Sequence, residues 1–155
     1  MKGLGNKRLL ISRIKIKLSM LRGNGLSGFK RSITSFKTID KVDQRLEEWV
    51  RQGRHLDYYE STDEILEELD ITSAELAFYC SCVLKKKFLT WRKELRINEA
   101  KELLLLHPET PACHIGFDVG FGDKSNFRQQ FKAIVGCTPT EWRERNLKGD
   151  ASHED

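Results

Sequence analysis

Lys124, Ser125, Arg128, Gln129 and Lys132 stand at i, i+1, i+4, i+5 and i+8. On a helix that spacing gathers all five on one face, while Phe127, Phe131, Ile134 and Val135 form an apolar stripe opposite. A row of donors of these types suits the major groove of DNA. Arginine or lysine can donate to guanine O6 and N7, glutamine can pair bidentately with adenine, and serine adapts to either partner. The plainer reading of the same row is a solvated amphipathic face.

The other reactive residue types form no comparable pattern. Cys80, Cys82, Cys113 and Cys137 lack the C-x-x-C spacing of a zinc site or redox motif, and Cys80 and Cys82 point about 200° apart on a helix. With no secretory signal beside them, they read as reduced cytoplasmic thiols. His55, His107, His114 and His153 have no nucleophile or carboxylate at a telling spacing. No catalytic residue, metal ligand or cofactor is expected. The text "GNGLSG" at Gly23, Gly25 and Gly28 matches the G-x-G-x-x-G of dinucleotide sites. That fold, however, needs an apolar buried strand before the glycines and a helix opening at the last one. Here "SRIKIKLSM" alternates charged with apolar residues, and "FKRSITSFKT" lacks helical periodicity, so the segment reads as a basic linker.

Charge is distributed in blocks. The chain of 155 residues carries a net +4, yet residues 1 to 39 hold ten Lys or Arg and no acid, leaving the remainder at −6. Residues 57 to 75 hold eight acids and no base, and residues 76 to 148 return to +5. The apolar run from Leu9 is too short and too charged to span a bilayer.

From Asp40 onward the pattern is helical. Val42, Leu46, Trp49 and Val50 form one stripe, with Asp40 as its expected cap and Gly53 as its stop. Thr62 is placed to cap "DEILEELD", and after a turn at Asp70 and Ile71 a helix from Thr72 carries Leu76, Cys80, Val83 and Leu84 inward. This pair is a helix-turn-helix candidate. Thr90 then caps a segment whose residues Leu95, Ala100, Leu103 and Leu104 face a core before Pro108 ends it, a helix of roughly 24 Å. A second pair follows: Pro111 starts a helix with Ile115 and Val119 inward, Gly120 permits the turn, and Asp123 caps the helix of the donor row.

The run from Arg96 to Leu104, the run "HIGFDVGFGDKSNFRQQFK" from His114, and "GCTPTEWR" from Gly136 together resemble the DNA-binding domain of the AraC/XylS transcription regulators. The resemblance covers about residues 40 to 146. It implies an all-α fold of about seven helices, with two helix-turn-helix units bridged by a long linker helix. It also implies a bacterial-type, sequence-specific regulator, an activator that places two recognition helices in successive major grooves of promoter DNA and recruits RNA polymerase. In this division residues 1–39 are a flexible basic arm or remnant, 40–147 the DNA-binding domain, and 148–155 a flexible tail.

Carried over by position, the family's base-reading places fall on Lys124, Ser125, Arg128 and Gln129, with Lys132 further along the same face. In the first recognition helix they fall on Ala74, Ala77 and Phe78, with Ser73, Ser81 and Lys85 left to hold phosphates. Two alanines and a phenylalanine offer no hydrogen bonds to bases, so that helix is expected to touch thymine methyls or to read shape. The chain departs from the family pattern twice more. Glycine is missing after the first recognition helix, which leaves the turn to Lys86 or Lys87. Gly116 stands where alanine is usual, a change expected to loosen its helix by up to about 1 kcal/mol. No sensor domain fits in the 39 residues before Asp40, no small-molecule effector site is evident, and two units in one chain point to a monomer. The alternative reading is a helical protein-interaction module without sequence-specific DNA binding. No cysteine has the neighbours an enzyme would need.

Overall fold

The computed structural model describes residues 26–59 and 61–150, with side chains described for 34–59 and 61–147. Among these residues the chain is all-helical, with seven α-helices and no strand. They are α1 (Leu26–Arg51), α2 (Thr62–Glu68), α3 (Ser73–Tyr79), α4 (Phe88–Leu106), α5 (Ala112–Asp118), α6 (Lys124–Val135) and α7 (Pro139–Asp150). A single 3₁₀ turn, Arg54–Leu56, follows α1, and a π turn, Cys80–Leu84, prolongs α3. No helix among the described residues is long and apolar enough to cross a membrane.

Two compact units share these elements, one formed by α1, α2 and α3 and the other by the 3₁₀ turn and α4 to α7. Phe88, the first residue of α4, is the last of the first unit, and the rest of α4 belongs to the second.

In the first unit, Val42, Leu46 and Trp49 of α1 are buried with Ile65, Leu69, Ile71, Leu76 and Tyr79, as their spacing requires. The Tyr79 hydroxyl donates to the Asp43 carboxylate, and both side chains are buried. Lys41 Nζ lies 3.1 Å from Glu75, and Arg45 Nη2 lies 3.1 Å from Asp70. Part of the acidic stretch therefore serves to dock α1 on the helix-turn-helix.

Helix α1 starts earlier than the sequence reading placed it. It opens at Leu26 rather than at Asp40, which lies mid-helix and accepts from Gln44 Nε2 at 3.0 Å. Leu26, Phe29, Ile33 and Phe36 recur at helical spacing, and the β-branched and hydroxyl residues between them obscured it. Gly28 accordingly lies inside a helix that already begins at Leu26, unlike a dinucleotide turn. Gly23, Gly25, the strand-like run, His153 and the tail beyond residue 150 lie outside the described residues.

Three other boundaries move. Ser61, not Thr62, caps α2 and accepts from the Glu64 N–H at 3.4 Å. Helix α4 opens at Phe88, so Thr90 lies within its first turn. Its buried face is Ile97, Ala100 and Leu104, with Leu95 and Leu103 only half-buried.

The turn after α3 falls on Lys85 rather than Lys86 or Lys87. The π turn closes with Lys85 N–H donating to Cys80 O at 2.8 Å, and Lys85 itself takes the left-handed conformation, φ 56°. The same turn leaves Cys80, Val83 and Leu84 half-buried.

The second unit is built around Ile97, Ala100, Leu104, Ile115, Val119, Phe121, Phe127 and Phe131, all buried. Ile134, expected in the apolar stripe of α6, is 41% exposed. Three arginines tie this unit to main-chain carbonyls. Arg96 donates to His55 O at 2.8 Å, Gly120 O at 2.7 Å and Asp57 O at 2.7 Å. Arg92 donates to His55 O at 3.0 Å and to Asp57 O, and stacks over Tyr59. Arg143 of α7 reaches Leu104 O at 3.0 Å, Pro108 O at 3.0 Å and Thr110 O at 2.7 Å.

Candidate nucleic-acid interface

Helix α6 is anchored from behind and open in front. Asp123 caps it, accepting from the Asn126 N–H at 2.7 Å, and Gly136 ends it at φ 91°. Phe127 lies 5.3 Å from Phe121 and 5.7 Å from Phe131 between ring centroids, and Phe131 packs against Trp142. Lys124, Ser125, Arg128, Gln129 and Lys132 are all exposed. The structure thus brings together the five donors predicted from their spacing. Rigid backing matters because groove recognition needs the helix held in one orientation while its outward donors stay available.

The two helix-turn-helix turns are close copies. In the first, Leu69 N–H donates to Ile65 O, Asp70 N–H to Glu67 O and Ile71 N–H to Leu66 O. In the second, Val119 donates to Ile115 O, Gly120 to Phe117 O and Phe121 to Gly116 O. Asp70 at φ 49° takes the left-handed place that Gly120 fills at φ 84°. The second turn is one residue longer before its cap, so Asp123 corresponds to Thr72, which caps α3 in a full capping box with Glu75.

Counted from those caps, Ser73, Ala74, Ala77, Phe78 and Ser81 occupy the places of Lys124, Ser125, Arg128, Gln129 and Lys132. Ser73, Ala74, Ala77, Ser81 and Lys85 are exposed, and Phe78 is half-buried. The same surface is therefore built twice, polar in the second unit and nearly bare in the first.

A family model for a helix-turn-helix domain matches residues 65–145, which runs from α2 to α7. The chain belongs to the AraC-type helix-turn-helix family. The arabinose operon regulatory proteins of Salmonella typhimurium and Escherichia coli are each 42% identical to it over 55 residues, which is 36% of this chain and 19% and 18% of theirs. An uncharacterised HTH-type transcriptional regulator of Bacillus subtilis, YdeC, is 29% identical over 94 residues, 59% of this chain and 32% of its own length. The matches span about a third or less of these curated relatives.

The family match gives the chain an AraC-type helix-turn-helix domain, a DNA-binding module. Its basic residues divide into two sets. Arg92, Arg96 and Arg143 are spent on carbonyls within the second unit, while Lys124, Arg128 and Lys132 face outward. Charge counting alone does not separate them. The sequence signal that does is helical register: Arg96 stands four before the buried Ala100 and so on its side of α4, whereas Arg128 stands four before the exposed Lys132 on the donor row. Burial and neighbouring Arg92 pull the Arg96 guanidinium down to about 10, so it stays charged at neutral pH.

Proposed function

We propose that this chain is a sequence-specific, promoter-binding regulator of transcription, an activator acting as a monomer in the cytoplasm and recruiting RNA polymerase. The two recognition helices enter successive major grooves within one site. Lys124, Ser125, Arg128 and Gln129 read base edges there and Lys132 extends the contact, while Ala74, Ala77 and Phe78 meet thymine methyls or read groove shape and Ser73, Ser81 and Lys85 grip the backbone. The observation that supports this reading is the row of exposed donors on α6, held outward by buried Phe127 and Phe131 in a chain of the AraC-type family.

Selection of binding sites from random duplex DNA, run with the purified chain at two salt concentrations, tests it. Recovery of an asymmetric motif whose affinity falls steeply with salt supports the regulator. Weak binding without any motif favours the protein-interaction module, a reading consistent with the sparse polar surface of α3.

A further inference from the structure

The two helix-turn-helix units carry a pocket at the same corner. In the second unit it has a volume of about 290 Å³ and lies between Cys113 at the start of α5, Lys124 and Arg128 on α6, and Thr138 and Thr140 at the start of α7. In the first unit it has a volume of about 710 Å³ and an apolar floor of Leu66, Leu76 and Phe88, with Thr62 at the start of α2, Ser73 on α3, and Lys85 and Lys87 just before α4 at its polar edge. These are equivalent walls, because Lys124 and Arg128 stand where Ser73 and Ala77 stand when counted from the caps.

What differs is where the cations come from. In the second unit the recognition helix supplies them; in the first, where α3 has none, the lysine turn behind it does. Lys85, Lys87, Lys124 and Arg128 form no ion pair among the described residues. Positive charge that returns at the same corner by a different route suits a repeating anion held at the polar edge of each pocket. Duplex DNA presents one at regular spacing along each strand.

We propose that both pockets seat a backbone phosphate of the bound duplex, an inference that rests on the DNA-binding function above. In the second unit Lys124 and the hydroxyls of Thr138 and Thr140 donate to the phosphate. Lys124 then leaves the base-reading set, which becomes Ser125, Arg128 and Gln129, and Thr138 and Thr140 join the interface. Ser125 and Gln129 take no part in the pocket walls and remain for base edges; Arg128, one turn further along α6 than Lys124, lines the pocket too but has the longer, forked reach that a base edge requires. In the first unit Lys85, Lys87 and the Ser73 hydroxyl hold the equivalent phosphate. Phosphate contacts fix register without carrying sequence information, so this arrangement explains how a recognition helix as bare as α3 still docks.

Three variants test the seats without threatening the fold. Thr140→Asp adds an acid in the first turn of α7, which suits the helix and repels a phosphate. Lys124→Gln removes an exposed charge, and Lys85→Gly removes a charge at a left-handed residue where glycine is at ease. Each is expected to bind selected and unrelated duplexes about tenfold more weakly while recovering the same motif, and the two lysine variants are expected to flatten the salt slope by about 0.9. Ethylation of one phosphate beside each recognition helix should impair the wild type and not the matching variant. Bound duplex should also slow alkylation of Cys113 by N-ethylmaleimide, followed by peptide mapping. The seats are overturned if Lys124→Gln alters the motif at one base pair with its salt slope intact, if ethylation interference is the same in wild type and variants, or if inorganic phosphate protects Cys113 and duplex does not. A wild-type chain that selects no motif overturns the proposed function itself; a wild-type chain that selects one, with any of these three results, overturns the seats alone.

Discussion

A methyl group on Gly116 would lie 2.6 Å from Cδ1 and 2.7 Å from Cγ of Phe127, closer than carbon atoms approach. The absent side chain therefore lets α5 lie directly on the ring that anchors α6. Gly116→Ala gains up to about 1 kcal/mol of helix propensity but forces Phe127 aside, and overpacking of this kind costs about 1–3 kcal/mol. Urea unfolding should find the variant less stable than wild type; a rise in stability would show that the ring yields freely.

Lys85 adopts φ 56° without being glycine. Lys85→Gly should raise stability by about 1 kcal/mol, since a side chain in the left-handed region is strained. An unchanged denaturation midpoint would mean that the π turn already relieves that strain.

Arg143 holds three carbonyls across the turn from α4 to α5. Arg143→Ala should cost about 2–4 kcal/mol through lost charge-assisted hydrogen bonds. Arg143→Lys should recover little, because an ammonium cannot span three acceptors as a planar fork does. Thermal unfolding of the pair decides it: equal stability of the lysine variant and wild type would refute the fork.

His55 is buried beneath two guanidinium groups. Burial first, then Arg96 and Arg92, push its imidazole down from 6.5 to about 4, with Asp57 opposing. The folded state therefore resists the proton that the unfolded chain accepts. The stabilising effect is complete above pH 6.5, declines as pH falls, and costs about 2 kcal/mol between pH 7 and pH 5. His55→Gln should flatten that part of the stability profile, and parallel profiles for variant and wild type would show that another group carries the titration.

Arg128→Ala should relax sequence preference at one base pair, a loss of about 1–3 kcal/mol of discrimination. Ala77→Ser, at the equivalent place on α3, should change the selected motif little. Equal loss of specificity in the two variants would show that the units share the readout.

Much of this was legible where local chemistry is decisive. Asp123 as a cap, Gly120 in the turn and Gly53 behind α1 announce themselves because few residues suit those backbone positions. The donor row was legible because α6 buries Phe127 and Phe131 on one face and exposes the donors on the other, even with Ile134 left in the open. The opening of α1 at Leu26 was obscured by hydroxyl and β-branched residues whose weak propensity masked the spacing of its aromatics. The Lys85 turn depends on a π bulge that leaves no compositional mark, and the fit of Gly116 to Phe127 depends on a neighbour in another helix. Propensity argued that this glycine loosens its helix, whereas packing makes it the condition for close contact.

The extra residue in the second turn lies between Gly120 and the cap Asp123, outside either helix. Inside a helix a single inserted residue would rotate everything after it by about 100°; in the turn, the cap resets the count. Each of α3 and α6 is thus an exchangeable cassette whose boundary is its cap. Transplanting the stretch from Asp123 to Lys132 into the place of Thr72 to Ser81 would move the whole donor row without turning it to another side.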